Sequence, residues 1–302
     1  MNRAGTLVLL YHRVAQLEHD PYGFAVCPDH FAEQCAILRQ HYDVVPLRES
    51  VATRREVAIT FDDGYADNRT AAVILAAAGL PATFFITVGR IGERGEVWWD
   101  RLEQLVMRCA PAGGYLDLEV AGQRLWADVR SPSARARAHM ALYWRVRRMR
   151  PAAIESVLDR LEGQLGIRTV ARDTHRWMTR EELREVAGTT GVDVGAHTLT
   201  HPVLTTVPAS EQWEEIDGSR QQLEQVLGKP IRLFSYPYGG HDAFDEATHQ
   251  LVRNSGYTLA CTAIGGVASV GDYPLQIPRN VVGDWDAPTF ERWLNHWVAR
   301  TR

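Results

Sequence analysis

Two adjacent carboxylates at the end of an apolar run open the chemistry of this chain. The segment Ala58-Ile-Thr-Phe-Asp-Asp-Gly-Tyr65 delivers Asp62 and Asp63 from a β-type stretch, Val57 to Phe61, into a glycine turn. A strand end holds its side chains firmly, and the turn opens them to solvent. Paired carboxylates can divide the work, one holding a metal and the other acting as a base. Asp-Gly is also an ordinary turn dipeptide, so the segment alone decides nothing. The matching groups lie far along the chain, in Gly195-Ala-His-Thr-Leu-Thr-His-Pro202. A single pair of histidines four apart can equally be core or surface. Together, Asp63, His197 and His201 supply one carboxylate and two imidazoles, a donor set that suits a catalytic metal with one position left for water. His197 and His201 converge if the residues between them form a helical turn. A metal in that position acidifies water and polarises a carbonyl, and a nearby carboxylate then removes a proton as attack occurs. Asp62 is placed for that role; if both aspartates are ligands, the base comes from elsewhere.

The elements that must position these groups alternate along the chain. Leu7–Tyr11 reads as a buried strand and Pro28–His41 as a helix, with Phe31, Cys35, Leu38 and Tyr42 on one stripe. Val57–Phe61 is the next strand, followed by a helix over Ala66–Ala78 and a strand over Ala82–Val88. Thr179-Arg-Glu-Glu182 is a capping box that starts a helix running to about Gly188. Val192–Gly195 is a strand, Ser210–Leu227 a helix, and Ile231–Tyr236 a strand. Asp242–Asn254 is a helix, Thr258–Cys261 a strand, and Thr289–Arg300 a closing helix. The repeating βα rhythm implies a mainly parallel sheet. His12, Asp62, Asp63, His197 and Tyr238 all fall at carboxyl ends of strands, the face where a barrel of this class carries its chemistry; an open doubly wound sheet is the alternative, although no glycine-rich phosphate loop follows the first strand. Residues 92–177 break the rhythm with a Trp98-Trp99 helix, a hairpin around Ala121-Gly122, and helices near 132–149 and 152–165. They read as an insertion within a single domain spanning 1–302.

Bulk properties narrow the function classes. The 302 residues, 45% hydrophobic and 23% charged, suit a globular α/β protein, and a net charge of −4 gives no support for a nucleic-acid partner. Cys27, Cys35, Cys109 and Cys261 form no Cys-x-x-Cys pair and read as free thiols, with a Cys27–Cys35 disulfide the alternative. The first apolar run is too short for a signal segment, and no stretch approaches the ~18 apolar residues of a membrane span, which points to a cytoplasmic protein. Arg135, Arg137, Arg145, Arg147, Arg148 and Arg150 make a basic cluster in the insertion. It reads as a solvated helix face, or as a contact surface for an anionic substrate or, through the Arg135–Arg150 stretch, for a peripheral phospholipid surface.

Thr60-Phe-Asp-Asp-Gly64, His197-Thr-Leu-Thr-His201 and Phe234-Ser-Tyr-Pro-Tyr-Gly239 resemble the three leading motifs of the polysaccharide deacetylases, also called the NodB-homology family or carbohydrate esterase family four. The resemblance covers roughly residues 6–90 and 178–285. It implies a distorted (β/α) barrel carrying a mainly helical insertion, and a divalent ion, most often zinc, with cobalt, nickel or manganese as alternatives. The implied reaction hydrolyses an N-acetyl group on an amino sugar and releases acetate. Carried over by residue, Asp62 is similar to the catalytic base, and Asp63, His197 and His201 to the metal ligands. Tyr238 matches the residue whose backbone N–H supports the oxyanion.

Two positions depart from the family pattern. The arginine that orients the base usually precedes the third motif, where this chain has Phe234-Ser235-Tyr236; Arg279, in Ile277-Pro-Arg-Asn280, is the candidate replacement. The Leu-x-His motif that supplies the general acid has a superficial match in Leu294-Asn-His296, within the closing helix. The amino-terminal Leu9-Leu-Tyr-His12 instead resembles the circularly permuted exopolysaccharide-deacetylase subgroup, which makes His12 the expected acid. Trp285 is a candidate wall of the acetyl pocket or an ordinary core residue. The expected activity is therefore metal-dependent deacetylation of an N-acetylated glycan or sugar precursor. The alternatives are an O-acetyl esterase, a small-amide hydrolase, or a non-catalytic glycan-binding protein.

Overall fold

The computed structural model describes residues 5–49, 56–108, 114–269 and 273–299, so Cys109 and Arg300 lie outside the described residues. The chain divides into two compact units, residues 1–92 with 177–302, and residues 93–176.

Among the described residues, the larger unit is built on a nine-stranded sheet. Its main path runs Leu259–Cys261, Leu233–Ser235, Val192–Ala196, Ala82–Ile86, Glu56–Phe61, Gly5–Tyr11, Ala268–Ser269. All neighbours on this path are parallel except the last pair. Strands buried on both faces read as continuous apolar runs, and Gly5–Tyr11 and Glu56–Phe61 are buried at every position. The register places Tyr11 opposite Phe61, Phe61 opposite Phe84, Ile86 opposite Ala196, and Ala196 opposite Phe234. Because the strands are parallel, the residues that follow these positions share one rim.

The segment from Ile277 to Val281 closes the sheet into a distorted barrel. Ile277 bridges Cys261 on the last strand of the main path, while Asn280 and Val281 pair with Leu9 and Leu10 on the other side. Helices cover the outside, and their ends are set by local chemistry. Cys27 caps Pro28–His41, Thr179 and Glu182 form the expected capping box on Arg180–Gly188, and left-handed Gly79 and Gly228 end Asn68–Ala78 and Ala209–Leu227. Phe61 stacks on Phe84 and Tyr11, with centroids 4.6 and 5.2 Å apart, which fixes the core beneath the rim.

Some boundaries differ from the sequence reading. The strand expected over Ile231–Tyr236 is only Leu233–Ser235, since Pro230 and Pro237 flank it and its ladder partner has three residues. The helix expected from Asp242 starts at Glu246, because Asp245 accepts the Thr248 N–H as its cap. The first helical turn after Tyr65 begins at Asn68. Cys27, Cys35 and Cys261 are free thiols.

The 93–176 unit is mainly helical, with Trp98–Glu103, Pro132–Val146 and Pro151–Leu165 around the antiparallel hairpin Tyr115–Val120 and Gln123–Asp128. Ala121 (φ 52°) and Gly122 (φ 74°) supply the two left-handed residues of a tight hairpin turn.

Candidate active site

Asp62 continues the ladder of its strand, donating its N–H to Tyr11 O at 3.0 Å, and its side chain turns into the rim almost fully buried. Arg279 meets it from the barrel-closing segment. Arg279 Nη1 donates to Asp62 Oδ1 at 2.7 Å and Nη2 to Oδ2 at 2.6 Å, a two-pronged pair. The remaining guanidinium protons go to Thr262 O, Thr60 Oγ1 and Ser235 Oγ, so all five have partners. Ser235 Oγ also donates to Asp62 Oδ2 at 3.1 Å. Burial pushes the Asp62 carboxyl up, but the Arg279 guanidinium outweighs it and holds the group well below the usual carboxylate range.

Asp63, His197 and His201 are all buried, and one donor atom from each lies within 4.8 Å of the others. His201 Nε2 is 3.5 Å and His197 Nε2 3.7 Å from Asp63 Oδ1. Two donors on one tetrahedral zinc-like ion stand roughly 3.3–3.4 Å apart, so small shifts would seat an ion here. His197 Nδ1 lies 2.8 Å from the Ser235 carbonyl, which fixes the proton there and leaves Nε2 as the electron-pair donor. Burial lowers the pKa of both rings, with Asp62 opposing this at each, which keeps them neutral as ligands must be. With neutral rings, Asp62 and Asp63 face one guanidinium, a local balance that favours a cation. The donor set fits a divalent ion.

The expected helical turn between His197 and His201 is absent. Thr198 (φ 65°) and His201 (φ 64°) adopt left-handed backbone, which a helix does not permit. The loop is held instead by Glu215, whose carboxylate accepts the Leu199 and Thr200 N–H groups and the Thr200 hydroxyl. Gly89 donates to Leu199 O, and a Cβ at Gly89 would come within 2.5 Å of that oxygen. Among the described residues, five non-glycines have left-handed φ, and four of them are Asp63, Thr198, His201 and Tyr238. Such strain, roughly 1–3 kcal/mol per residue, gathers where a site requires it. The Tyr238 ring packs against His201 at 4.7 Å.

His12 follows the first strand. Its ring stacks on Phe24 at 4.3 Å, and its carbonyl accepts the Asn68 amide at 2.8 Å. Loss of water pushes its pKa down to about 4, Asp62 pulling upward and Arg279 and His197 adding to the fall. His296 is exposed on the closing helix, with its ring edge-on to Trp297. Trp285 is half-buried against Trp293 at 5.2 Å. In the smaller unit, Arg135 donates to Met107 O and Arg145 to Ala141 O, and Arg147 lies over the Trp144 ring.

Ser235 and Glu215 are the residues that sequence reasoning missed. Ser235 stood inside a quoted motif, but only as an absence of arginine. Glu215 lies on a helix without any local signal.

Residues 50–117 and 155–260 match the model of a family described as polysaccharide deacetylase. YxkH of Bacillus subtilis (strain 168), provisionally named a polysaccharide deacetylase, is 26% identical over 92 residues. That match covers 30% of this chain and 32% of YxkH, so it spans about a third of the relative's length. Among solved structures, the Streptococcus pyogenes deacetylase PplD in complex with acetate is similar with a TM-score of 0.62 at 17% identity, over 98% of this chain and 99% of PplD. IcaB from Ammonifex degensii is similar with a TM-score of 0.61 at 19% identity, over 98% and 97% of the two chains. These structural likenesses concern the fold.

Proposed function

Because the chain belongs to the polysaccharide deacetylase family, we propose that it is a metal-dependent hydrolase that removes N-acetyl groups from an amino-sugar-containing glycan or its precursor. The observation that carries this reading is the meeting, on one strand-end rim, of a guanidinium-locked carboxylate and a buried Asp-His-His donor set.

Asp63, His197 and His201 would hold the ion. A bound divalent ion, for which zinc suits this donor set best, acidifies a water and polarises the acetyl carbonyl. Asp62, held in place by the Arg279 fork, takes the proton of the attacking water. The Tyr238 backbone N–H supports the developing oxyanion. His12 is neutral at rest. It takes a proton from solvent as negative charge builds on the acetyl oxygen and passes it to the nitrogen as the C–N bond breaks, and Asp62 then returns its own proton to solvent, so one proton is taken up and one given back. The 93–176 unit is read as an insertion into this scaffold.

The test is acetate release from N-acetylglucosamine oligomers by chelated protein before and after zinc or cobalt is restored, with Asp62→Asn alongside. Activity restored in the parent and absent from the variant is the expected result. Protein that holds the ion yet releases no acetate from any oligomer would overturn the substrate assignment.

A further inference from the structure

Beside the site lies a charge pair that the chemistry above does not use. Arg13 is 1% exposed, although it adjoins His12 in the sequence. Its Nε donates to Asp67 Oδ2 at 2.9 Å, its Nη2 approaches the same oxygen at 2.9 Å, and its guanidinium lies 4.2 Å over the Tyr65 ring. Asp67 Oδ1 accepts the Val14 N–H, and Asn68 Nδ2 donates to the His12 carbonyl. The His12 carbonyl and the Val14 N–H just after it are therefore tied to Asn68 and Asp67, which follow the Asp62–Asp63 turn, while Tyr11 O just before His12 accepts the Asp62 N–H. Tyr65, in that turn, stacks on Trp177 at 5.4 Å, and Met178 N donates to Gly64 O. On the opposite side, Arg13 N donates to Phe24 O, and Phe24 stacks on the His12 ring.

A buried ion pair is a poor way to gain stability, because desolvation of both charges offsets their attraction. Burial indeed raises the Asp67 carboxyl above its ordinary value despite Arg13. What the pair does supply is a fixed distance. We infer that the buried Arg13–Asp67 pair, with Asn68, is a positioning device that sets His12 in register with the Asp62–Asp63 turn, so that acid and base act on one substrate. The inference rests on the reading of His12 as the proton donor.

The test uses leaving groups. An amine leaves only when protonated, whereas 4-nitrophenolate leaves without help, so a device that serves the acid matters for one substrate and not the other. Kinetics on N-acetylglucosamine oligomers and on 4-nitrophenyl acetate are compared for zinc-loaded parent, His12→Asn, Asp67→Asn, and the apolar double variant Arg13→Met with Asp67→Leu. Metal content and thermal melting are recorded for each. The double variant keeps a filled core without an unpaired charge, so it remains informative if Asp67→Asn folds poorly.

The expected result is a kcat loss on the amide of about 10²-fold for His12→Asn, within the span of general acid catalysis, and of about 10-fold or more for the other two. For His12→Asn the ester loses less than the amide; for the other two the ester rate changes less than about 3-fold, and metal content is unchanged in all three. If His12→Asn shows the amide-selective loss but the other variants lose both activities equally, or neither, the pair is merely structural and the inference falls. If His12→Asn shows no amide-selective loss, the reading of His12 fails and the inference falls with it.

Discussion

Among the described residues, two groups of side chains able to ligate a metal stand in the larger unit, and their surroundings differ. Asp63, His197 and His201 are buried at the carboxyl ends of parallel strands. Cys27, His30 and Asp284 also bring their donor atoms within 4.8 Å of one another, but they are half-buried to exposed at the start of a helix. In the second group the polar atoms are engaged with each other. Asp284 Oδ1 accepts the Cys27 N–H at 2.9 Å and lies 2.7 Å from His30 Nδ1, and Cys27 Sγ accepts the His30 N–H. Burial, opposed by that N–H, raises the Cys27 thiol above its ordinary value, which disfavours the thiolate a metal needs. The first group is held by strained backbone and a carbonyl that directs an imidazole; the second is a helix cap with a clasp. Residue type and proximity are therefore not enough. What distinguishes a candidate metal centre is side chains oriented from outside the cluster.

The largest effect tests that distinction directly. His201→Ala or Asp63→Ala should remove bound zinc and lower acetate release by at least about 10³-fold, since Lewis-acid stabilisation is worth several kcal/mol. Cys27→Ser should leave zinc stoichiometry unchanged. Zinc lost from the Cys27 variant, measured by elemental analysis, would erase the contrast.

Next in size is Asp62→Asn. It should keep zinc while losing about 10²–10⁴-fold in kcat. Arg279→Lys should lose less, about 10–10²-fold, because an ammonium cannot reproduce the fork. The two changes should not add: with Asp62 already Asn, replacing Arg279 should lower kcat little further, because both act on one proton transfer. Additive losses would mean that Arg279 has a role apart from Asp62.

The parts of this arrangement that the sequence made legible are those written in local pattern. Apolar runs ending in Asp62 and before His197 gave the strands, and parallel order then forced their ends to one rim. Arg279 was a candidate from its neighbours, but its reach depended on the Ile277–Val281 segment closing the barrel. A short, proline-bearing stretch gives no periodic signal of that. The left-handed backbone at Thr198 and His201 was hidden because β-branched Thr rarely adopts it and His, though more tolerant of it than most residues, does so too seldom to signal it. Glu215 imposes that loop from a helix over a dozen residues away, a contact that exists only after folding. Ser235 likewise links Asp62, Arg279 and His197 through packing that no spacing rule encodes.

The smallest effects belong to the clasp. Asp284→Ala should cost about 1 kcal/mol of stability, the usual worth of a cap or an exposed pair, without altering zinc content. Asp284→Asn isolates the charge, because its side-chain oxygen can still accept the Cys27 N–H. His30 is raised above the ordinary imidazole value, chiefly by its hydrogen bond to Asp284, with burial opposing. A raised folded pKa means that the folded state holds the proton more tightly. The resulting stabilisation is complete below the unfolded value, about 6.5, and disappears as pH rises through the folded one. The melting-temperature gap between the parent and Asp284→Asn should thus be widest at or below about pH 6 and narrow above it, within the ~1 kcal/mol of an exposed pair. A gap that instead widens with pH would mean that the clasp does not work through His30, and the reading of this group as a protonated structural clasp would have to be abandoned.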